Sequence, residues 1–282
     1  MQKFQLLLIG AAIVLLAGLF KFGQRLPPAK AGAQPSQQAA MMGGGEDMPA
    51  ADFSQLLANA KKTLASPMQL RLARLENDVV RGAVKNDQIL VSRELARIWD
   101  SLGNTPLAAH YLGEAAKLEN SEKSLTFAAN LFLSHLEHTD DASVRKWEAN
   151  EAKDLLTQAL KEDEENDSLK VSLGNAYIAG GDIMQGVQTL LAVTQSDPDN
   201  LEANLILGRL AVTSGQYDKA ATRLEGVIAK HPDNTEALYF LAEAYKAQGK
   251  KEKAIELFER CKKLINNPEF SKQIDDYIKT FK

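Results

Sequence analysis

From Gly181 to Gly215 and from Gly215 to Gly249 the interval is 34 residues, and Pro198 and Pro232 keep the same spacing. A fixed period of this length means one structural unit copied along the chain. Residues 167–268 fall into three rows of it: DSLKVSLGNAYIAGGDIMQGVQTLLAVTQSDPDN, LEANLILGRLAVTSGQYDKAATRLEGVIAKHPDN and TEALYFLAEAYKAQGKKEKAIELFERCKKLINNP. Apolar residues within a row recur at helical spacing, as Leu207, Leu210 and Ala211 show, with small Ser214 one turn on. A glycine breaks each row, so each reads as two helices joined by a tight turn. A small residue, Gly174, Gly208 or Ala242, sits mid-helix, where glycine ordinarily costs about 1 kcal/mol. Close approach of a neighbouring helix would offset that cost. One hairpin cannot bury its apolar stripe alone, whereas stacked neighbours can. The chain is therefore expected to be all-α, a solenoid of stacked helix hairpins.

The rows also carry the marks of a known family, whose pattern runs W-x2-L-G-x2-Y…A-x3-F…P. Row one has Leu173-Gly174-x2-Tyr177 and Pro198. Row two has Leu207-Gly208, Ala220-x3-Leu224 and Pro232, and row three has Leu241-Ala242-x2-Tyr245 and Ala254-x3-Phe258. The family Trp is replaced by Lys170, Asn204 and Leu238, and Asn266 stands where row three would carry Pro. The period survives these departures. The sequence resembles the tetratricopeptide repeat (TPR) family, a resemblance that implies a protein-binding scaffold without naming what is bound.

Upstream, a further unit is legible at about Ile89 to Glu122, with Leu95-Ala96-x2-Trp99, a break at Gly103-Asn104, and Ala108-x3-Leu112. Gly103 and Gly181 are 78 residues apart, two periods and about ten more. The unit between them is thus expected to hold an insertion, placed at 135–146. Its first helix would bury Leu125, Phe132 and Leu133, and its second Ala152, Leu155, Leu156 and Ala159. The array is taken as 88–268, about five units. Before it, residues 51–87 read as an atypical hairpin. Asp52 caps a helix with Phe53, Leu56, Leu57, Ala60 and Leu64, and Ser66-Pro67 starts a second with Leu72, Leu75, Val79 and Val80. Residues 269–282 read as a capping helix. Asn267 and Pro268 start it, and Phe270, Ile274, Tyr277, Ile278 and Phe281 share one face.

Residues 5–20, QLLLIGAAIVLLAGLF, form the one long apolar run, short for a bilayer crossing unless Lys21 snorkels. Cleaved signal peptide and retained anchor compete. The charged, proline-bearing segment after the run makes a poor cleavage region, so 1–22 is read as a signal anchor. Residues 23–50 are rich in Gly, Pro, Ala and Gln and read as a flexible tether. Lys21, Arg25 and Lys30 lean the positive-inside count toward a cytoplasmic body, whereas short anchors of this look resemble export signals. The expectation adopted is a single-pass inner-membrane protein with a periplasmic body. The architecture resembles membrane-anchored bacterial TPR proteins that serve envelope assembly, accessory factors of c-type cytochrome maturation among them.

A net charge of −4 argues against nucleic acid as the main partner. The single cysteine, Cys261, excludes an intrachain disulfide and falls at an apolar position. No nucleotide-binding glycine loop, zinc-protease motif or serine-hydrolase elbow is present. His135-x2-His138 with Asp140 and Asp141 could ligate zinc, but reads better as a polar helix end running into a loop. No catalytic residue, metal or cofactor is therefore expected. In the family the chain resembles, the first helix of each hairpin lines a groove. The resemblance places Arg93, Arg97, Asn130, Asn175, Arg209, Tyr239 and Glu243 there. Of the positions at which some members grip a C-terminal carboxylate, only Asn175 fits, since Ile206, Glu236 and Phe240 occupy later places. A protein or peptide held in the groove is the leading expectation. Self-association as a homo-oligomer is the second, and an enzyme using the paired histidines the third.

Overall fold

The computed structural model describes residues 49–81, 84–136 and 138–282. The anchor expected at 1–22 and nearly all of the tether lie outside the described residues, as does the Val80 side chain. Among the described residues there are thirteen α-helices and no strand. They divide into two compact units, one ending at Ser196 and the other beginning at Asp197.

The first unit holds α1 (Phe53–Lys62), α2 (Ser66–Arg81), α3 (Lys85–Ser101), α4 (Thr105–Glu119), α5 (Glu122–Leu136), α6 (Ala142–Glu162), α7 (Asp167–Ala179) and α8 (Ile183–Ser196). From α2 onward each helix packs on the next, and α4 also touches α6 and α5 touches α7. The second unit holds α9 (Leu201–Thr213), α10 (Tyr217–Lys230), α11 (Thr235–Ala247), α12 (Lys251–Ile265) and α13 (Pro268–Lys279). There too each helix packs on its successor, and α9 on α11.

The helix ends are set by residues at the repeat period. Asn166, Asn200 and Asn234 each accept a hydrogen bond from the backbone N–H three residues on, at 3.1, 3.1 and 2.8 Å. Each such bond satisfies a donor that the first helical turn leaves orphaned. The turns inside the hairpins pass through Gly181 and Gly215 at φ of 94° and 76°, a region that side chains disfavour. Mid-helix, Gly174 and Gly208 do different work. A methyl group on Gly174 would come within 2.7 Å of Leu190 Cγ, and one on Gly208 within 2.6 Å of Leu224 Cδ2. Glycine there lets the two helices of a hairpin close up.

The first unit buries two apolar clusters. One joins Leu72 of α2 to Leu95, Ala96 and Trp99 of α3 and Leu107 and Tyr111 of α4. The other joins Leu125, Phe132, Leu155, Leu156 and Leu169 across α4 to α7. Of the residues expected inside the expanded unit, Leu125, Phe132, Ala152, Leu155, Leu156 and Ala159 have no exposed surface, while Leu133 is half-buried. The extra residues are mostly helix rather than loop. Helix α6 runs for 21 residues where α8 and α10 run for 14. Nothing after the Asp141 cap breaks the helical pattern. Helix α1 leans on more than α2: the Phe53 ring stacks on His110 of α4 at 3.7 Å and lies 6.0 Å from the Trp147 ring of α6. In the second unit the core runs from Leu224 and Leu238 through Phe258 and Cys261 to Phe270, Ile274 and Ile278 of α13.

Candidate functional site

The small mid-helix residues fix where the outward side chains lie. Gly174 faces Leu190 and Gly208 faces Leu224, so the next residue is turned roughly 100° away from the partner helix. Ala96, Ala129, Gly174, Gly208 and Ala242 are followed by Arg97, Asn130, Asn175, Arg209 and Glu243. Five helices thus present one side chain each at an equivalent position.

In the first unit this position is unpaired. Arg97 on α3 and Asn130 on α5 are exposed, and Asn175 on α7 is half-buried. None of the three takes part in a hydrogen bond or ion pair among the described residues. One turn before Arg97, the Arg93 Nη2 lies 2.6 Å from Glu119 Oε1 on α4. That oxygen has no aligned hydrogen-bond donor, so the pair is held by charge more than by direction.

In the second unit the corresponding side chains have partners. Arg209 pairs with Glu236 at 3.3 Å. Glu243 accepts from Lys246 Nζ and from the Tyr277 hydroxyl of α13, both at 3.0 Å, while its other oxygen is buried without a partner. Burial pushes the Glu243 carboxyl above its ordinary range, with Lys246 pulling the other way. Tyr239 stands edge-on to Phe240 and Phe258 at 5.5 Å, and burial raises its hydroxyl as well. The Lys246 ammonium sits 4.3 Å over the Tyr277 ring. Helix α13 therefore meets the face of α11 that carries Glu243.

Two features lie outside the sequence reading. The first is on α5, where Phe127 is 58% exposed and Lys123 is exposed with no ion pair among the described residues. An aromatic ring set off the stripe of Leu125, Ala128, Ala129 and Phe132 was the available signal. The second is Glu148 on α6, a carboxylate with no exposed surface. His135 Nδ1 lies 2.7 Å from one of its oxygens, and the Thr139 hydroxyl donates to the other at 3.0 Å. Residues 13 apart in sequence gave no local sign of this pairing. His135 is thus engaged with Glu148, and Asp141 caps α6 through the N–H groups of Ser143 and Val144. Among the described residues no group of three or more His, Cys, Asp or Glu could hold a metal ion. Cys261 is fully buried, and burial pushes its thiol up to about 12, so it packs as a small apolar residue.

Comparison with known proteins follows the same lines. A tetratricopeptide repeat family model matches residues 148–210 and 211–271. Among solved structures, MamA is similar at 16% identity and a TM-score of 0.47, covering 64% of this chain and 92% of that one. YrrB, titled a TPR protein with an unusual peptide-binding site, is 19% identical with a TM-score of 0.45, covering 66% of this chain and 91% of that one. MamA from Desulfovibrio magneticus RS-1, residue 41 to its end, is 21% identical with a TM-score of 0.40, covering 54% and 92%. No curated protein matches the sequence. Residues 148–271 are tetratricopeptide repeats, and the family resemblance read from the sequence holds.

Proposed function

We propose that this chain is a membrane-tethered scaffold that holds a protein or peptide segment against the outward side chains of α3, α5 and α7. One observation carries the reading. Arg97, Asn130 and Asn175, at equivalent positions on three helices, leave their hydrogen-bonding capacity unused among the described residues. Packed helices fix the backbone of these groups before binding, so the ordering cost that remains is that of the side-chain rotamers alone. Family membership over 148–271 points the same way. The apolar run at 5–20 and the Gly/Pro/Ala/Gln-rich stretch after it support a tether. No helix among the described residues is long and apolar enough to cross a membrane. A periplasmic body serving assembly of an envelope complex is the setting proposed.

A photo-crosslinking amino acid at Asn130 or Asn175 of the membrane-bound protein tests this. A discrete adduct is expected there, and it should be lost with Arg97→Glu. Adducts only from an outer position such as Gln188 would move the binding surface elsewhere.

A further inference from the structure

A cleft of about 250 Å³ opens between α3, α4 and α5, with Leu112, Ala115 and Ala116 of α4 as its floor. Its cause is a difference in packing. Helix α5 packs on α7, and α9 on α11, whereas α3 and α5 barely meet. The walls are chemically distinct. Phe127 contributes an exposed ring, and Lys123 an exposed ammonium with no ion pair. Opposite them, the Arg93 charge is balanced by Glu119, which also accepts a 3.0 Å hydrogen bond from the Ser124 hydroxyl. Among the side chains that line the cleft the charge left without a partner is therefore positive, that of Lys123, with unpaired Arg97 one helical turn from Arg93 on α3. Glu122, in the first turn of α5, is not part of the lining and accepts from the Thr126 hydroxyl.

We infer that this cleft reads an acidic residue and an adjacent bulky apolar residue of the bound segment. The inference rests on the scaffold reading and deepens it. The carboxylate pairs with Lys123, near the N-terminus of α5, where the helix dipole also favours negative charge. The apolar side chain enters over Ala115 and Ala116 and lies against Phe127. The space is smaller than the ~300–1,000 Å³ of drug-sized ligand sites, so it takes one or two side chains of a peptide and not a whole cofactor. A basic segment would meet Lys123 and Arg97 head-on, which sets specificity by repulsion as well as attraction.

The test pans a random dodecapeptide phage library on the full-length chain in detergent micelles. Enriched peptides should carry Asp or Glu next to Leu, Ile or Phe. Synthetic versions should lose at least tenfold in affinity to Lys123→Glu and to Phe127→Ala. Both side chains are exposed, so each variant should keep the wild-type circular dichroism and melting midpoint. Panning on Lys123→Glu should enrich basic peptides instead, a switch that a merely structural lysine would not produce. Enriched peptides lacking the acid, or indifferent to both substitutions, would overturn the cleft assignment while leaving the scaffold standing. A library that enriches nothing on the wild type would overturn both.

Discussion

At Gly208 the packing leaves no room for a methyl group, since Leu224 atoms lie 2.6 and 2.9 Å from where it would go. At Gly226, in the middle of α10, nothing lies within 4 Å of the same point. Two glycines in one unit are therefore predicted to respond oppositely to alanine. Gly226→Ala should stabilise by about 0.5–1 kcal/mol, because a helix-interior glycine loses more backbone freedom on folding. Gly208→Ala should destabilise by about 1–3 kcal/mol through overpacking, despite the better helix propensity. Urea midpoints of the two variants measure the contrast. The glycine of the family motif was legible at 208, and its close approach followed from the pattern. Nothing local marked Glu148, whose partners His135 and Thr139 come from a preceding helix and a loop.

Among the elements, α13 has the largest consequence for the site. Its buried face of Phe270, Ile274 and Ile278 continues the apolar core of the second unit, as the period of that face predicts. Its Tyr277 hydroxyl meanwhile reaches Glu243 on α11. Burying the Glu243 carboxyl gives the unit a pH response. Burial holds the Glu243 carboxyl above its unfolded value, so over an interval of pH the native state keeps a proton that the unfolded chain has released. The stabilising contribution is complete below about pH 4, the unfolded carboxyl range, and is lost as pH rises through the folded value. Amide NMR intensities of α11 and α13, followed in urea at pH 4 and pH 7, should show this site favouring the lower pH. Glu243→Gln should remove that component of the difference. An unchanged pH response in the variant would assign it to other groups. The start of α13 was readable from Asn267-Pro268, and Asn267 does accept from the N–H groups of Glu269 and Phe270. The reach of Tyr277 was not, because it depends on the angle at which one helix crosses another.

At the scale of the whole molecule, two uses of the surface compete. The scaffold reading draws on the unpaired side chains of α3, α5 and α7. Self-association draws on α8, where Ile183, Met184 and Leu191 are 49%, 59% and 37% exposed. The scaffold reading expects wild type and Leu191→Asp to sediment alike across a concentration series. A wild-type dimer that Leu191→Asp dissolves would make self-association the better account.

The sequence by itself determined the repeat, the hairpins, the caps and most of the core. Each of these is a relation among residues a few positions apart, or one period apart, and helix geometry converts such spacings directly into faces and ends. Only the tertiary structure decided which outward side chains stay unpaired. Arg97 and Glu243 occupy the same place in the repeat, yet one is exposed and unpaired while the other is held by Lys246 and Tyr277. The packing of α1 through Phe53 against α4 and α6, and the gap between α3 and α5, were decided at the same level. Such contacts depend on how closely distant helices approach and at what angle, and no short stretch of chain encodes those quantities.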